Sequence, residues 1–484
     1  MNKKVNKDPR NLSMLADFYE FTMTNGFLHN DVADEIAYFD MYFRSLPDNG
    51  GFAIMAGLEQ LINYLENLSF TEEDIEYFRS LDMFSEDFFD YLRDFKFECD
   101  VWAIPEGTPV FPGQPLAIVR GPVAQAQIIE TMVLLTINHQ SLIATKANRI
   151  VRAADGRAVA EFGSRRAHSY DSANFGARAT YIAGCSGTAN TLTGRDFGVP
   201  VLGTMAHSWV QLFPNEIDAF RAYARTYPDN CYLLVDTYDT LNQGIPNAIK
   251  VFNEEVVSRG FRPKGIRIDS GDLAYLSKEA RILLDEAGFE DCQIMVSGGL
   301  DEYIIQDLIN QESKVDSFGV GERMITSRSE PVFGGVYKLT AVENDGEVEP
   351  KIKISDNVAK ITTPGFKQVY RLFDRETDKA IADVVTLHDE IIDDSNPYEI
   401  FHPVYTWKRK TVENFYARKL LVPIFEKGEL VYDRPSLEEI RSYCSEQVDT
   451  LWEEVLRFEN PHEYFVDLSY DLWNIKETLL KQDR

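Results

Sequence analysis

Between residues 158 and 320, short apolar segments recur at 158–162, 199–202, 232–235, 265–268, 293–296 and 316–320. Stretches of helical spacing separate them, at 175–190, 216–225, 246–259, 277–287 and 303–309. Strands buried on both faces read as brief continuous apolar runs, and their alternation with helices predicts a parallel sheet, either a barrel or doubly wound. Each segment ends in, or leads into, a polar or glycine-rich cluster. In chain order these are Gly163-Ser164-Arg165-Arg166, then Gly203-Thr204-Met205-Ala206-His207-Ser208, then Asp236-Thr237-Tyr238-Asp239. Arg267-Ile268-Asp269-Ser270-Gly271-Asp272, Ser297-Gly298-Gly299 and Gly319-Val320-Gly321 follow. One polar loop after a strand is ordinary. Six in succession predict a site at the carboxyl ends of the strands, where both barrels and open parallel sheets bind ligands.

The flanking regions have other patterns. Residues 11–27 read as an aromatic-rich helix, and 37–43 as an apolar strand interrupted by Asp40. Residues 52–65 and 71–95 have helical spacing. Residues 101–121, with Pro105, Pro109, Pro112, Pro115, Gly107 and Gly113, carry strand-and-turn chemistry. One long helix is expected over 125–152. Beyond residue 340, strand-like segments surround a Thr363-Pro364-Gly365 turn, and acidic amphipathic helices begin at Ser436.

The 484 residues carry a net charge of −29, which argues against nucleic acid or an anionic membrane as a partner for the surface as a whole. An anionic ligand would need a local basic cluster. The five cysteines are scattered, odd in number and without CxxC spacing, so neither a disulfide framework nor a zinc site is expected. Residues 1–11 lack the apolar core of a signal peptide, and no apolar run approaches the roughly 20 residues that span a bilayer. A cytoplasmic protein is expected.

The clusters contain the residue types that anion chemistry needs. Arg165, Arg166 and Arg267 present guanidinium groups that match phosphate geometry, although Arg267 could equally form a salt bridge with Asp269. Gly298, Gly299, Gly319 and Gly321 suit close approach of backbone N–H groups to an anion, and tight turns explain them about as well. Asp269 and Asp272 could bind sugar hydroxyls or Mg²⁺, while Asp272 could instead cap the following helix. His207 could act as a base or as a nucleophile toward phosphorus, with Asp236 the candidate to orient its ring.

Asp17-Phe18-Tyr19-Glu20-Phe21-Thr22-Met23, Phe162-Gly163-Ser164-Arg165-Arg166 and Gly203-Thr204-Met205-Ala206-His207-Ser208 form an ordered set with Arg267-Ile268-Asp269-Ser270-Gly271-Asp272-Leu273 and Gly334-Gly335-Val336-Tyr337-Lys338-Leu339. With these the chain resembles the nicotinate phosphoribosyltransferases, members of the type II phosphoribosyltransferase family, over about residues 15–339 and more weakly beyond. The resemblance implies an irregular TIM-like α/β barrel over 145–339. An N-terminal α+β open-faced sandwich domain (1–144) would precede it, and a C-terminal extension (340–484) would follow.

It also implies formation of nicotinate mononucleotide from nicotinate and phosphoribosyl pyrophosphate, with Mg²⁺, coupled to ATP through phosphorylation of His207. Asp236 would be the hydrogen-bond partner of His207. Tyr19 would stack on the pyridine ring in the barrel of a neighbouring subunit, making a homodimer with shared active sites. Arg165, Arg166 and Arg267 would hold the anions. Phe162, Thr204, Ser208 and Ser297 would line the pocket, and Asp269 would bind the ribose. Gly298, Gly299, Gly319 and Gly321 would surround the 5′-phosphate.

One departure is Glu322 after Gly321, where some relatives have a threonine on the phosphate. A carboxylate there would repel it unless Arg323 takes its place or Glu322 points away. Two rival readings remain. A nicotinamide enzyme would carry an Asp in the Gly187-Thr188-Ala189-Asn190 stretch, where this chain has Ala189. A non-catalytic phosphate-binding barrel would not bring Arg165, His207, Asp236 and Arg267 together.

Overall fold

The computed structural model describes residues 10–357 and 360–482. The chain divides into two compact units: residues 143–331, and residues 1–142 together with 332–484. Most of the stretch 1–11 read for a targeting signal lies outside the described residues.

The 143–331 unit is built on six parallel strands: β1 (Ala158–Glu161), β2 (Gly187–Thr188), β3 (Tyr232–Leu234), β4 (Gly265–Ile268), β5 (Gln293–Ser297) and β6 (Ser317–Val320). Their order is β2-β1-β6-β5-β4-β3. Val159, Ile266, Ile268, Ile294, Val296, Phe318 and Val320 are all buried, which removes from water the apolar surface that made these segments legible.

Three expectations fail here. Residues 199–202 make no strand, only an isolated parallel bridge from Val201 to Thr188. Pro200 has no N–H to extend a ladder, and Val201 is 51% exposed. No ladder joins this segment to β3 among the described residues, so the sheet is open and the expected closed barrel is not found. The helix expected over 175–190 is instead Tyr170–Ile182. Ser169 caps its start, and Gly184 at φ +114° ends it, freeing Gly187–Thr188 to become β2.

The other unit explains why the third sequence region is not a separate extension. Strand Ile36–Phe43 pairs antiparallel with Ala117–Pro122 on one side and Gly335–Asn344 on the other. Val422–Glu426 joins the same seven-stranded sheet through Asp100–Ala103. Strands after residue 331 therefore complete a sheet begun before residue 143. A second sheet orders Phe415–Lys419, Lys367–Asp374, Ala380–Leu387 and Val466–Leu468. The acidic helices expected from Ser436 are Leu437–Asp449 and Tyr470–Gln482.

Several helices are shorter than their periodicity suggested. The first is Phe18–His29. The 52–65 stretch begins as strand Ala53–Ile54 and turns at Gly57, φ +105°, before helix Leu58–Asn67. A Cβ on Gly57 would lie 2.3 Å from the Thr136 carbonyl oxygen, so that turn requires glycine. The 71–95 stretch splits into Glu72–Ser80 and Glu86–Arg93, capped by Thr71 and Ser85. The 125–152 helix breaks at Ile129 into Val123–Ile128 and Glu130–Ala153. No helix among the described residues is long and apolar enough to cross a membrane.

Asp40, the carboxylate that interrupts an apolar strand, is matched by Lys367, whose Nζ lies 2.9 Å from it. Both are buried. Lys367 also donates to the carbonyls of Thr363 (2.9 Å) and Gly365 (2.5 Å), fixing the turn foreseen in the sequence. Burial pushes the Asp40 carboxyl up and the Lys367 ammonium down, each opposed by the charge of the other. Breaking such a pair strands a buried charge. Lys367→Met is therefore expected to destabilise by about 3–5 kcal/mol, and adding Asp40→Leu to recover much of that loss, as measured by urea unfolding.

Candidate active site

The carboxyl ends of β4 and β5 place Arg267, Asp269 and Ser297 side by side. Arg267 points from within β4, and its guanidinium donates to Ser297 Oγ (2.8 Å), Asp269 Oδ1 (2.7 Å) and Thr204 Oγ1 (3.3 Å). Its Cζ lies 5.4 Å from the Phe162 ring centroid, a cation–π contact. Ser297 Oγ also donates to Asp269 Oδ1. The salt bridge weighed from sequence is therefore real, but the guanidinium still has N–H groups to offer a ligand. Burial alone would raise the Asp269 carboxyl. The Ser297 hydrogen bond and the Arg267 charge outweigh it and hold the group below the usual aspartate range.

His207 opens a six-residue helix, His207–Leu212, with Nε2 4.0 Å from Asp269 Oδ2. Its Nδ1 meets Thr237 Oγ1 at 3.1 Å. The pairing of His207 with Asp236 implied by the resemblance is not seen. Asp236 Oδ2 instead accepts from the Asp269 backbone N–H (2.9 Å) and the Ser270 hydroxyl (2.6 Å). A carboxylate at the end of β3 thus braces the loop after β4, and the neighbouring Thr237 takes the imidazole. Asp236 Oδ1 is buried without a partner. Asp272 accepts from Tyr275 N (3.0 Å), so it caps the next helix. Ser208 is exposed beside His207.

Arg165 and Arg166 follow β1 on a short turn and are both exposed. Arg166 Nε lies 3.8 Å from Glu322, and Arg328 Nη1 lies 3.5 Å from the same carboxylate. The charge expected to repel a phosphate is thus flanked by two guanidinium groups. Arg323, the proposed substitute, is held by Asp301.

Sequence reading missed Glu161. Its carboxylate is fully buried and accepts from the Gly163 backbone N–H and from Thr188 Oγ1 (2.5 Å), tying the arginine turn to β2. Burial pushes the carboxyl up, and the two donors oppose that. The available signal was an acidic residue closing an otherwise apolar strand.

The glycines divide in two. A Cβ on Gly298 (φ +99°) would lie 2.1 Å from the Asp269 carbonyl oxygen, and one on Gly319 2.6 Å from the Phe162 ring. Packing alone requires these two. Gly321 is close to the Phe162 carbonyl, whereas Gly299 has open space at its Cβ position.

Tyr19 lies in the other unit, on helix Phe18–His29, and is 43% exposed alongside Leu15, Phe18 and Met23. Burial of its hydroxyl and the nearby Glu130 charge push its pKa up. No cluster of three or more His, Cys, Asp or Glu side chains suited to a metal occurs among the described residues.

Removing the Glu161 carboxylate strands an N–H and a hydroxyl in the interior. Glu161→Ala is expected to cost about 1–3 kcal/mol, read by urea unfolding. An unchanged transition midpoint would show that the turn after β1 does not depend on it.

Comparison with known proteins adds to this geometry. The nicotinate phosphoribosyltransferase (NAPRTase) family matches residues 158–386, with the corresponding N-terminal and C-terminal domains matching 14–138 and 366–476. The nicotinate phosphoribosyltransferase of Bacillus subtilis is 45% identical over 96% of this chain and 94% of its own length. The human one is 30% identical over 96% of each chain. The crystal structure of human nicotinic acid phosphoribosyltransferase superposes with a TM-score of 0.85 at 29% identity, covering 96% of this chain and all of that one. With similarity of this extent along both units, the chain belongs to the nicotinate phosphoribosyltransferase family.

Proposed function

We propose that this chain joins nicotinate to phosphoribosyl pyrophosphate, forming nicotinate mononucleotide and pyrophosphate in NAD salvage. One observation carries the reading at the level of chemistry: Arg267, Ser297 and His207 gather around a single carboxylate, Asp269, at the strand ends. In the reaction, the ring nitrogen of nicotinate attacks ribose C1. The bond from C1 to the pyrophosphate oxygen breaks, and its electron pair leaves with pyrophosphate. Positive charge builds on the sugar and negative charge on the leaving group. Asp269 suits ribose hydroxyls, and Arg267 with the exposed Arg165 and Arg166 suits the anions. Gly298, Gly299, Gly319 and Gly321 would border the 5′-phosphate, and Phe162, Thr204 and Ser208 the rest of the pocket.

Mg²⁺ would arrive with the pyrophosphate substrate and neutralise its charge. The unpartnered Asp236 Oδ1 is the available protein ligand, in keeping with the habit of Mg²⁺ of using one or two carboxylates plus phosphate oxygens. Tyr19 would meet the pyridine ring in a homodimer, a role supported by its outward-facing apolar surroundings. A cytoplasmic enzyme fits the acidic, cysteine-poor composition.

ATP coupling, which would make the enzyme a ligase, is assigned to His207. Thr237 engages Nδ1, leaving Nε2 as the nitrogen able to attack the γ-phosphorus of ATP and release ADP. The phosphoryl group would put new negative charge beside Asp269 and compete for Arg267, changing how the site holds pyrophosphate. Water would later cleave the N–P bond. His207→Asn is expected to lower product-coupled ATP hydrolysis at least about a hundredfold. ATP hydrolysis still coupled to nicotinate mononucleotide formation in that variant would remove His207 from this role.

Ala189 favours nicotinate over nicotinamide. It follows β2 directly, is exposed, and its N–H donates to the Glu161 carbonyl (2.8 Å). An acidic side chain here would face the acid of the substrate. Ala189→Asp is expected to reduce kcat/KM for nicotinate by about tenfold or more without an equal loss for nicotinamide, measured by product formation. Equal effects on both substrates would place Ala189 away from the acid.

A further inference from the structure

A cavity of about 760 Å³ lies within the unit formed by residues 1–142 and 332–484, lined by none of the residues assigned above. Its volume falls in the range of small-molecule sites. Hairpin Tyr398–Phe401 and Arg409–Val412 supplies one wall, and the segment running into strand Val466–Leu468 supplies another.

Three observations point to a ligand. First, Lys408 and Lys410 line the cavity without a carboxylate partner among the described residues. Arg409 between them is paired with Glu399 at 2.7 Å, and Lys408 lies 5.0 Å from the Tyr405 ring centroid. Both lysines are exposed, and in a chain with 78 acidic and 49 basic residues they place two ammonium groups without a carboxylate partner at one cavity.

Second, Asp467 lines the same cavity at 5% exposure, and no described group donates a hydrogen bond to its carboxylate. Burial alone acts on this carboxyl and pushes it up to about 6. Its oxygens open to the cavity and are not sealed in the interior, so a ligand hydroxyl can donate to them.

Third, flat surfaces are available. Phe465 is 37% exposed, and His402 and His462 line the wall beside it. The Nδ1 of His402 accepts from Val404 N (3.0 Å) and Tyr405 N (2.9 Å), which fixes the ring with Nε2–H as its donor.

We propose that this cavity binds a nucleoside monophosphate, with its phosphate on Lys408 and Lys410, its ribose hydroxyls donating to Asp467, and its base against Phe465 and the two imidazoles. A second carboxylate in the wall, Glu463, is exposed, as are the two lysines.

Adenosine monophosphate is the probe, titrated calorimetrically into the full chain. Adenosine is expected to bind about tenfold more weakly or worse for want of the phosphate, as is inorganic phosphate for want of the nucleoside. Joint Lys408→Glu and Lys410→Glu should abolish binding, and Asp467→Asn should weaken it. The 2′-deoxy nucleotide tests the Asp467 contact without altering the protein and should also bind more weakly. Arg267→Ala, in the other unit, should leave binding in place. Failure of adenosine monophosphate to bind at millimolar concentration overturns the proposal. So does binding that survives the double lysine change or disappears with Arg267→Ala.

Discussion

Asp269 is the carboxylate around which the parallel-sheet unit arranges its chemistry. It accepts from Arg267 and Ser297, faces His207, and has its own backbone N–H tied to Asp236. Each tie comes from a different strand end or loop, so register in the sheet becomes geometry in the site. The pairings Met295↔Arg267 and Val296↔Ile268 bring Ser297 level with Asp269. A slip of one residue would send Arg267 to the opposite face of the sheet. Because the acceptor is held charged by its neighbours, the cluster is set before any ligand arrives, and a preorganised site avoids reorganisation during reaction.

Buried polar groups do related work elsewhere. Glu161 ties the turn after β1 to β2, and Lys367 ties a turn to the Asp40 strand. Arg371 makes a two-bonded pair with Asp383, both fully buried, beneath the stacked rings of Phe111 and Tyr464. Paired charges of this kind fix one arrangement of the chain against others more than they add stability. Asp467 differs because its carboxylate opens to a cavity and no described group donates to it.

Much of the parallel unit was legible in the sequence because its strands are short apolar runs with polar ends. Segments 158–162, 232–235, 265–268, 293–296 and 316–320 each became a strand within a residue or so. The failure at 199–202 has a local cause, since apolar character cannot reveal that Pro200 removes a ladder donor. The helix read over 175–190 fails similarly: periodicity ran past Gly184, whose left-handed backbone ends the element. Among the site residues, Arg267, Asp269 and His207 were visible from residue type and position. Glu161 was passed over because it sits inside the strand rather than in the loop that follows. Thr237 carried no signal, being one hydroxyl beside a more conspicuous carboxylate.

By itself the sequence determined five of the six strands of the parallel unit, the strand ends as the place for chemistry, and the residue types there, all properties of local spacing and charge. Only the tertiary structure decided partners that lie far apart along the chain. Thr237 rather than Asp236 meets the imidazole, Glu322 is flanked by Arg166 and Arg328, and the parallel sheet stays open. Strand Gly335–Asn344 joins Ile36–Phe43, almost 300 residues earlier, which no local pattern encodes. The physical reason is common to all of these. Periodicity reports which face a residue buries, whereas hydrogen bonds and ion pairs depend on which other segment is brought to that face.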